Sequence, residues 1–256
     1  MSPAAGEPTS YRFEDRSLLR PAAVKLYFSR LFRLLPAWLT ANFVTLGGFG
    51  ATLVVLAFAA GAPDASPGLL ALVYLAGTQL YVAGDHLDGM QAVASRTTSP
   101  LGEFLDHFLD ALSGAILVLA GFTLMEGRPA WALPLILWTY LLAFTVTYVE
   151  RAERRELHFH RVGSFEGIAV VSVFFATSIF PAGRAFWNAP LVAGLPAWWL
   201  VVGVAALISA GTVVAVLGRM GEVPGGFLRY ALAAGSMAAA VALAPPSLRV
   251  PGWLLV

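Results

Sequence analysis

Long apolar runs recur along almost the whole chain, each close to the roughly 20 residues that cross a bilayer as a helix. They are read as Leu39–Gly61, Ala65–Ala94, Leu101–Met125, Pro129–Glu150, Ser164–Phe180, Pro196–Leu217 and Gly226–Ala244, the fifth being short. Hydrocarbon offers the backbone no water, so such a run must satisfy its own N–H and C=O groups. The expected fold is therefore all-α: a polytopic transmembrane helix bundle of about six or seven spans. Composition agrees. The chain is 58% hydrophobic and 12% charged, against roughly 25% charged for a soluble domain. A net charge of +1 indicates no nucleic-acid partner. Cysteine is absent, which excludes disulfides and thiolate zinc sites.

Two stretches precede the first span. Met1–Ser17 is polar, carries Pro3 and Pro8, and reads as a disordered or loosely surface-bound tail. Ser17–Leu35 mixes Leu18, Leu19, Leu26, Leu31 and Leu34 with Arg20, Lys25, Arg30 and Arg33. That is the pattern of a basic amphipathic helix lying in the membrane interface. The expected organisation is residues 1–35 as tail and interfacial helix, then residues 36–256 as one transmembrane domain. No cleavable signal peptide is visible, because the first apolar run starts late. With the amino terminus in the cytoplasm, thirteen of the basic residues fall inside, and only Arg128, Arg184 and Arg249 outside. Lys25 is the sole lysine among many arginines, and alanine is abundant. This points to a GC-rich genome and to a bacterial inner membrane as the expected location.

One stretch breaks the apolar rule. Gly84–Asp110, GDHLDGMQAVASRTTSPLGEFLDHFLD, holds Asp85, Asp88, Asp106 and Asp110. Asp85 and Asp88 share one helix face, as do Asp106 and Asp110. Between them Ser95–Gly102 carries Ser, Thr, Pro and Gly and reads as a turn. Two antiparallel helices joined there would gather all four carboxylates, on the cytoplasmic side by the charge count. Clustered carboxylates repel, and each is costly to bury unpaired. A cation removes both problems, and an oxygen donor set favours Mg²⁺, Mn²⁺ or Ca²⁺ over zinc. The plainer alternative is four solvated acids at helix ends.

The same stretch resembles the signature of the CDP-alcohol phosphotransferase family, D-x2-D-G-x2-A-R-x8-G-x3-D-x3-D. The matching positions are Asp85, Asp88, Gly89, Ala92, Gly102, Asp106 and Asp110, with every spacing kept. The arginine position holds Val93, and Arg96 lies one helical turn on as a substitute. SPLGEFLDH, with His107 after the third aspartate, is most similar to the choline/ethanolamine phosphotransferase branch. So is PAWLTANFVTLGGF, in which Asn42, Thr45 and Gly48 keep the branch spacing.

The resemblance implies a metal-dependent enzyme. A hydroxyl attacks the phosphorus of a CDP-alcohol, and CMP leaves. It implies Asp85, Asp88 and Asp106 as metal ligands, with Asp110 as ligand or general base and two Mg²⁺ or Mn²⁺ ions as cofactor. His107 with Glu166 is the other candidate base. Asn42, Asp88, Gly89, Ala92, Arg96 and Gly102 are the implied CDP-binding residues. Plainer readings stand beside these. Asn42 suits a helix N-cap, His107 an interhelical hydrogen bond, and Glu166 a helix-start carboxylate. Gly84 and Gly89 bracket the acids and would let a large ligand approach the backbone. Gly47, Gly48 and Gly50 permit close helix approach.

The implied partners are a CDP-activated alcohol with a lipid acceptor of diacylglycerol type, within a membrane of lipids. The reverse arrangement reads equally from the motif: CDP-diacylglycerol as donor, with a soluble alcohol or alcohol phosphate as acceptor. In that case the charged connector Arg151–Arg161 would bind phosphate; otherwise it is a solvated helix extension with i,i+4 pairs. A cation transporter and an inactive relative with Val93 as the lesion are the rivals from other classes. Gly- and Ala-rich faces fit a homodimer.

Overall fold

The structure is a computed structural model that describes residues 12–62, 64–129, 131–159 and 161–243. Five helices have the length and composition to cross a membrane: α3 (Ala41–Gly61), α4 (Pro67–Ser95), α5 (Pro100–Thr123), α6 (Ala132–Arg154) and α9 (Trp199–Met220). They follow a broken interfacial helix made of α1 (Arg20–Ala23), a π turn (Val24–Phe28) and α2 (Ser29–Phe32). α7 (Ser164–Ser178) and α8 (Pro181–Asn188) lie before α9, and α10 (Gly225–Leu243) follows it. The protein is an all-α integral membrane bundle, with only four very short strands among the described residues.

The element starts are written in the sequence. α4 and α5 both open on Ser-Pro. Ser66 Oγ accepts the Leu69 N–H at 3.3 Å, and Ser99 Oγ accepts the Gly102 N–H at 3.0 Å. Pro67 and Pro100 take the first helical position, where a missing N–H costs nothing. α4 stops at Arg96, which adopts the left-handed conformation at φ 56° and returns its N–H to the last turn. The short link to Pro100 turns α5 back along α4, as the sequence predicts.

Apolar burial drives little between helices in lipid, so close backbone contact and buried polar pairs fix the packing. α3 and α4 meet at Gly48 and Gly84: a Cβ on Gly84 would lie 2.9 Å from Gly48 Cα. Here the sequence reading is corrected. Gly84 serves a helix crossing rather than a ligand, and of Gly47, Gly48 and Gly50 only Gly48 is used this way. Lower in the bundle, Thr52 bonds Ser113 at 3.2 Å, Tyr74 bonds Thr123 at 3.0 Å, and Gln79 donates to Ser172 at 3.0 Å. Leu72, Leu80, Leu207 and Val214 face outward, where lipid would lie.

Three other elements depart from expectation. α7 has 15 residues, a rise of roughly 22 Å, short of the roughly 30 Å hydrocarbon core. Its chain turns into α8 at Pro181 instead of continuing to a full span. The connector after α6 is helical only to Arg154; Arg155 takes φ 55°, and Glu156–Phe159 becomes a strand, β2. β2 pairs in parallel with β1, Arg12–Asp15. The described end of the amino-terminal tail is thus tied to the bundle rather than loose. The remaining strands, β3 (Pro190–Val192) and β4 (Leu195–Pro196), form a small hairpin before α9. Met1–Tyr11 and Ala244–Val256 lie outside the described residues.

Candidate active site

α3, α4 and α5 build the site at the end of the bundle that also carries the interfacial helix and β2. Asp85 and Asp88 lie near the carboxyl end of α4, Asp106 and Asp110 in the first turns of α5. Asp85, Asp106 and Asp110 line one small cavity with Thr45 and Tyr81, about 10 Å³ in volume. Asp88 lies within electrostatic reach of Asp106 and Asp110. The predicted gathering of the four acids therefore holds, with Asp88 buried and the other three part-buried.

Hydroxyls hold the carboxylates in place. Thr45 Oγ1 donates to Asp88 Oδ2 at 2.5 Å, and Tyr81 OH donates to Asp110 Oδ1 at 2.9 Å. Tyr140 OH donates to the Asp110 carbonyl at 3.1 Å. Asp106 Oδ1 is buried with no hydrogen-bond partner. Asp106, His107 and Asp110 each offer a ligand atom, all within 4.8 Å of one another. An orphaned carboxylate oxygen inside an almost all-oxygen donor set suits a divalent cation.

The expected nucleotide-side residues fall around this cluster. Asn42 is the second residue of α3, whose N-cap is Thr40, so the N-cap reading of Asn42 is overturned. Asn42 Oδ1 instead abuts Gly102, where an added Cβ would lie 3.0 Å away. Gly89 is exposed, with open space where a side chain would point. Ala92 is half-buried and accepts the Thr97 N–H. Arg96 forms the αL cap with an exposed side chain, and no ion pair joins it to the aspartates among the described residues.

His107 sits between the acids and a second space. Its Nδ1 lies 3.4 Å from Asp106 Oδ2, while Nε2 is buried without a hydrogen-bond partner. The ring is tilted against Tyr148 at 4.6 Å. It faces a groove of about 370 Å³ between α5 and α6, lined also by Glu103, Phe104, Phe108, Tyr148 and Arg151. Phe104 and Phe108 are largely exposed and stack on one another, so the groove opens on an apolar helix face.

Glu166 is not brought to His107. Its Oε1 accepts from Ser17 Oγ at 2.6 Å, Leu18 N at 2.9 Å and Leu19 N at 3.2 Å. Its Oε2 accepts the Gly163 N–H at 2.8 Å, closing the α7 start. Oε1 is committed to anchoring the interfacial segment and Oε2 to closing the start of α7, and no hydrogen bond joins Glu166 to His107 among the described residues. The plainer helix-start reading describes it better.

Sequence reasoning left Thr45, Tyr81 and Glu103 out of the site. Thr45 was visible as a position of kept spacing, and Tyr81 lies one turn before Asp85 on the same face. Glu103 is one turn before His107. Its contact with Arg151 depends on how α5 meets α6, which no local pattern reveals.

Fold and site together define an integral membrane helix bundle with an acidic centre at one end. Residues 38–209 match the CDP-alcohol phosphatidyltransferase family, well over half of the chain, and the chain belongs to that family. It is similar to choline/ethanolaminephosphotransferase 1 of Saccharomyces cerevisiae, with 28% identity over 185 residues, 70% of this chain and 47% of the yeast protein. It is also similar to cholinephosphotransferase 1 of Gallus gallus, with 30% identity over 191 residues, 71% of this chain and 55% of the relative. Human cholinephosphotransferase 1 matches at 34% over 111 residues, 42% of this chain and 27% of the human protein. The chain thus spans about half the length of the curated relatives it matches.

Proposed function

We propose that this protein transfers a phospho-alcohol of phosphocholine or phosphoethanolamine type from its CDP ester to the hydroxyl of a diacylglycerol-type lipid, releasing CMP. The observation that carries the reading is the position of His107, with the four-aspartate centre on one side and a groove open to an apolar face on the other. The names of the relatives supply the head-group class. The site is expected on the cytoplasmic face of a bacterial inner membrane, following the positive-inside bias.

Asp85, Asp88, Asp106 and Asp110 would hold a pair of Mg²⁺ or Mn²⁺ ions. When bound, such ions supply charge neutralisation for a diphosphate and its departing CMP. The remaining work falls to the chain. Thr45 and Tyr81 fix the rotamers of Asp88 and Asp110. Open space at Gly89 and the Asn42–Gly102 junction leave room for the nucleotide. The acceptor oxygen bonds to the phosphorus next to the alcohol while the bond from that phosphorus to the CMP oxygen breaks, and the acceptor proton must go elsewhere. His107 is suited to take it. With Nδ1–H directed at Asp106, Nε2 carries the lone pair and is the unpartnered nitrogen. Asp110, already accepting from Tyr81, is better used as a ligand.

The test is CMP release by purified protein in detergent with Mg²⁺ or Mn²⁺, offering two mixtures. CDP-choline and CDP-ethanolamine with diacylglycerol should yield CMP. His107→Gln should lower that rate about a hundredfold. CMP only from CDP-diacylglycerol with soluble alcohols would replace this reading by the reverse transfer. No CMP from either mixture would favour a transporter or an inactive relative.

A further inference from the structure

The polar end of the His107 groove holds one cation and one carboxylate, and they are joined. Arg151 Nη2 is in direct contact with Glu103 Oε1, and both side chains are about one-fifth exposed. Glu103 stands one turn before His107 on α5, yet its Oε1 is 3.8 Å from His107 Nε2, beyond hydrogen-bond range. Its partner is therefore the arginine. The next cation along α6 is directed elsewhere: Arg154 donates to the Arg219 carbonyl at 2.5 Å. Arg219 is in turn held by Glu150.

An acceptor entering this groove meets a neutralised cation, a carboxylate and, behind His107, the aspartate centre. An alcohol phosphate would need open guanidinium donors to replace its water, because Arg–phosphate pairing is what makes such a site bind. To reach those donors it would have to separate Arg151 from Glu103 and would then face Glu103 as a like charge, a strong means of rejection. A neutral hydroxyl on an apolar body carries neither cost, and Phe104, Phe108 and Tyr148 give it a surface to lie on.

We infer that Glu103 sets the acceptor class: by holding Arg151 it admits a neutral hydroxyl and excludes a phosphorylated alcohol from the His107 groove. The inference rests on the proposed transfer for its substrate, although anion exclusion itself belongs to the groove and not to the donor. Glu103 acts through Arg151 and is a positioning residue, so the readout is anion selectivity and not rate alone.

Glycerol 3-phosphate is the probe. It is used to inhibit CMP release from CDP-choline and diacylglycerol, and its binding to the same purified protein is measured by equilibrium dialysis. The wild type should be insensitive at millimolar probe. Glu103→Gln should be inhibited and should bind the probe at least about tenfold more tightly. Glu103→Gln with Arg151→Gln should lose that gain. The exchanged pair, Glu103→Arg with Arg151→Glu, keeps a neutral couple and should stay insensitive.

Unchanged binding in Glu103→Gln overturns the inference, as does a gain that survives removal of Arg151. Dialysis decides the matter even if the single variant turns over poorly. If the wild type releases CMP only from CDP-diacylglycerol with neutral alcohols, the proposed transfer fails while Glu103 keeps its role. Use of glycerol 3-phosphate as an acceptor by the wild type overturns both.

Discussion

Two groups of carboxylates crowd the same end of this bundle, and they are treated in opposite ways. Glu150, fully buried on α6, takes two bonds from Arg219, Nε and Nη2 each at 2.7 Å. Glu166 is buried too, and four protein donors converge on it. Asp85, Asp88, Asp106 and Asp110 have hydroxyls and neighbouring imidazoles, but no lysine or arginine among the described residues. A buried carboxylate without a countercharge is expensive. Among the described residues the nearest arginines pair elsewhere, Arg151 with Glu103 and Arg219 with Glu150, and none pairs with this centre. Under the proposed function its compensation is a bound cation, whereas the structural carboxylates are satisfied by the chain's own donors.

The comparison is most easily broken at Asp106. Asp106→Asn should lower turnover about a thousandfold, with helical content and membrane insertion unchanged by circular dichroism and fractionation. Near-wild-type turnover would put Asp106 with the structural acids. Glu150→Gln should do the reverse. Removing the carboxylate charge that faces Arg219 should cost about 3–5 kcal/mol of stability, read as a large fall in melting temperature in detergent. Activity per folded molecule should be kept. The gentlest probe is Thr45→Val, which removes the hydroxyl bonded to Asp88 and leaves shape nearly intact. The half-saturating Mn²⁺ concentration should rise about tenfold with little change in the saturated rate. An equal loss at all metal concentrations would assign Thr45 to the substrate instead.

Most of this fold was legible because the bilayer leaves few choices. Apolar runs of span length and the turn after α4 gave α3 to α6 and α9 within a few residues, while the Ser-Pro starts of α4 and α5 became evident only in the structure. The four aspartates were equally legible, since their spacing fixes a helix face and the turn fixes the pairing of helices. What stayed hidden depends on contacts between distant segments. Nothing local to Glu166 reveals that Ser17, Leu18 and Leu19 fold onto it. A carboxylate at a helix start looks the same whether it caps, clamps or catalyses. Likewise a glycine beside an acid suggested space for ligand at Gly84, and only the crossing with Gly48 shows that a helix fills it. The strand Glu156–Phe159 escaped notice because its partner, Arg12–Asp15, lies far away in sequence. Charged residues around it suggested a helix end.

The aspartate centre fulfils its proposed role only if it takes up divalent cations. The most direct measurement is Mn²⁺ binding to the purified, metal-stripped protein, followed by the loss of the free-ion electron paramagnetic resonance signal. Saturable uptake of about two ions per chain, lost in Asp106→Asn and kept in Glu150→Gln, is the predicted result. No saturable uptake, or uptake indifferent to Asp106, would contradict it.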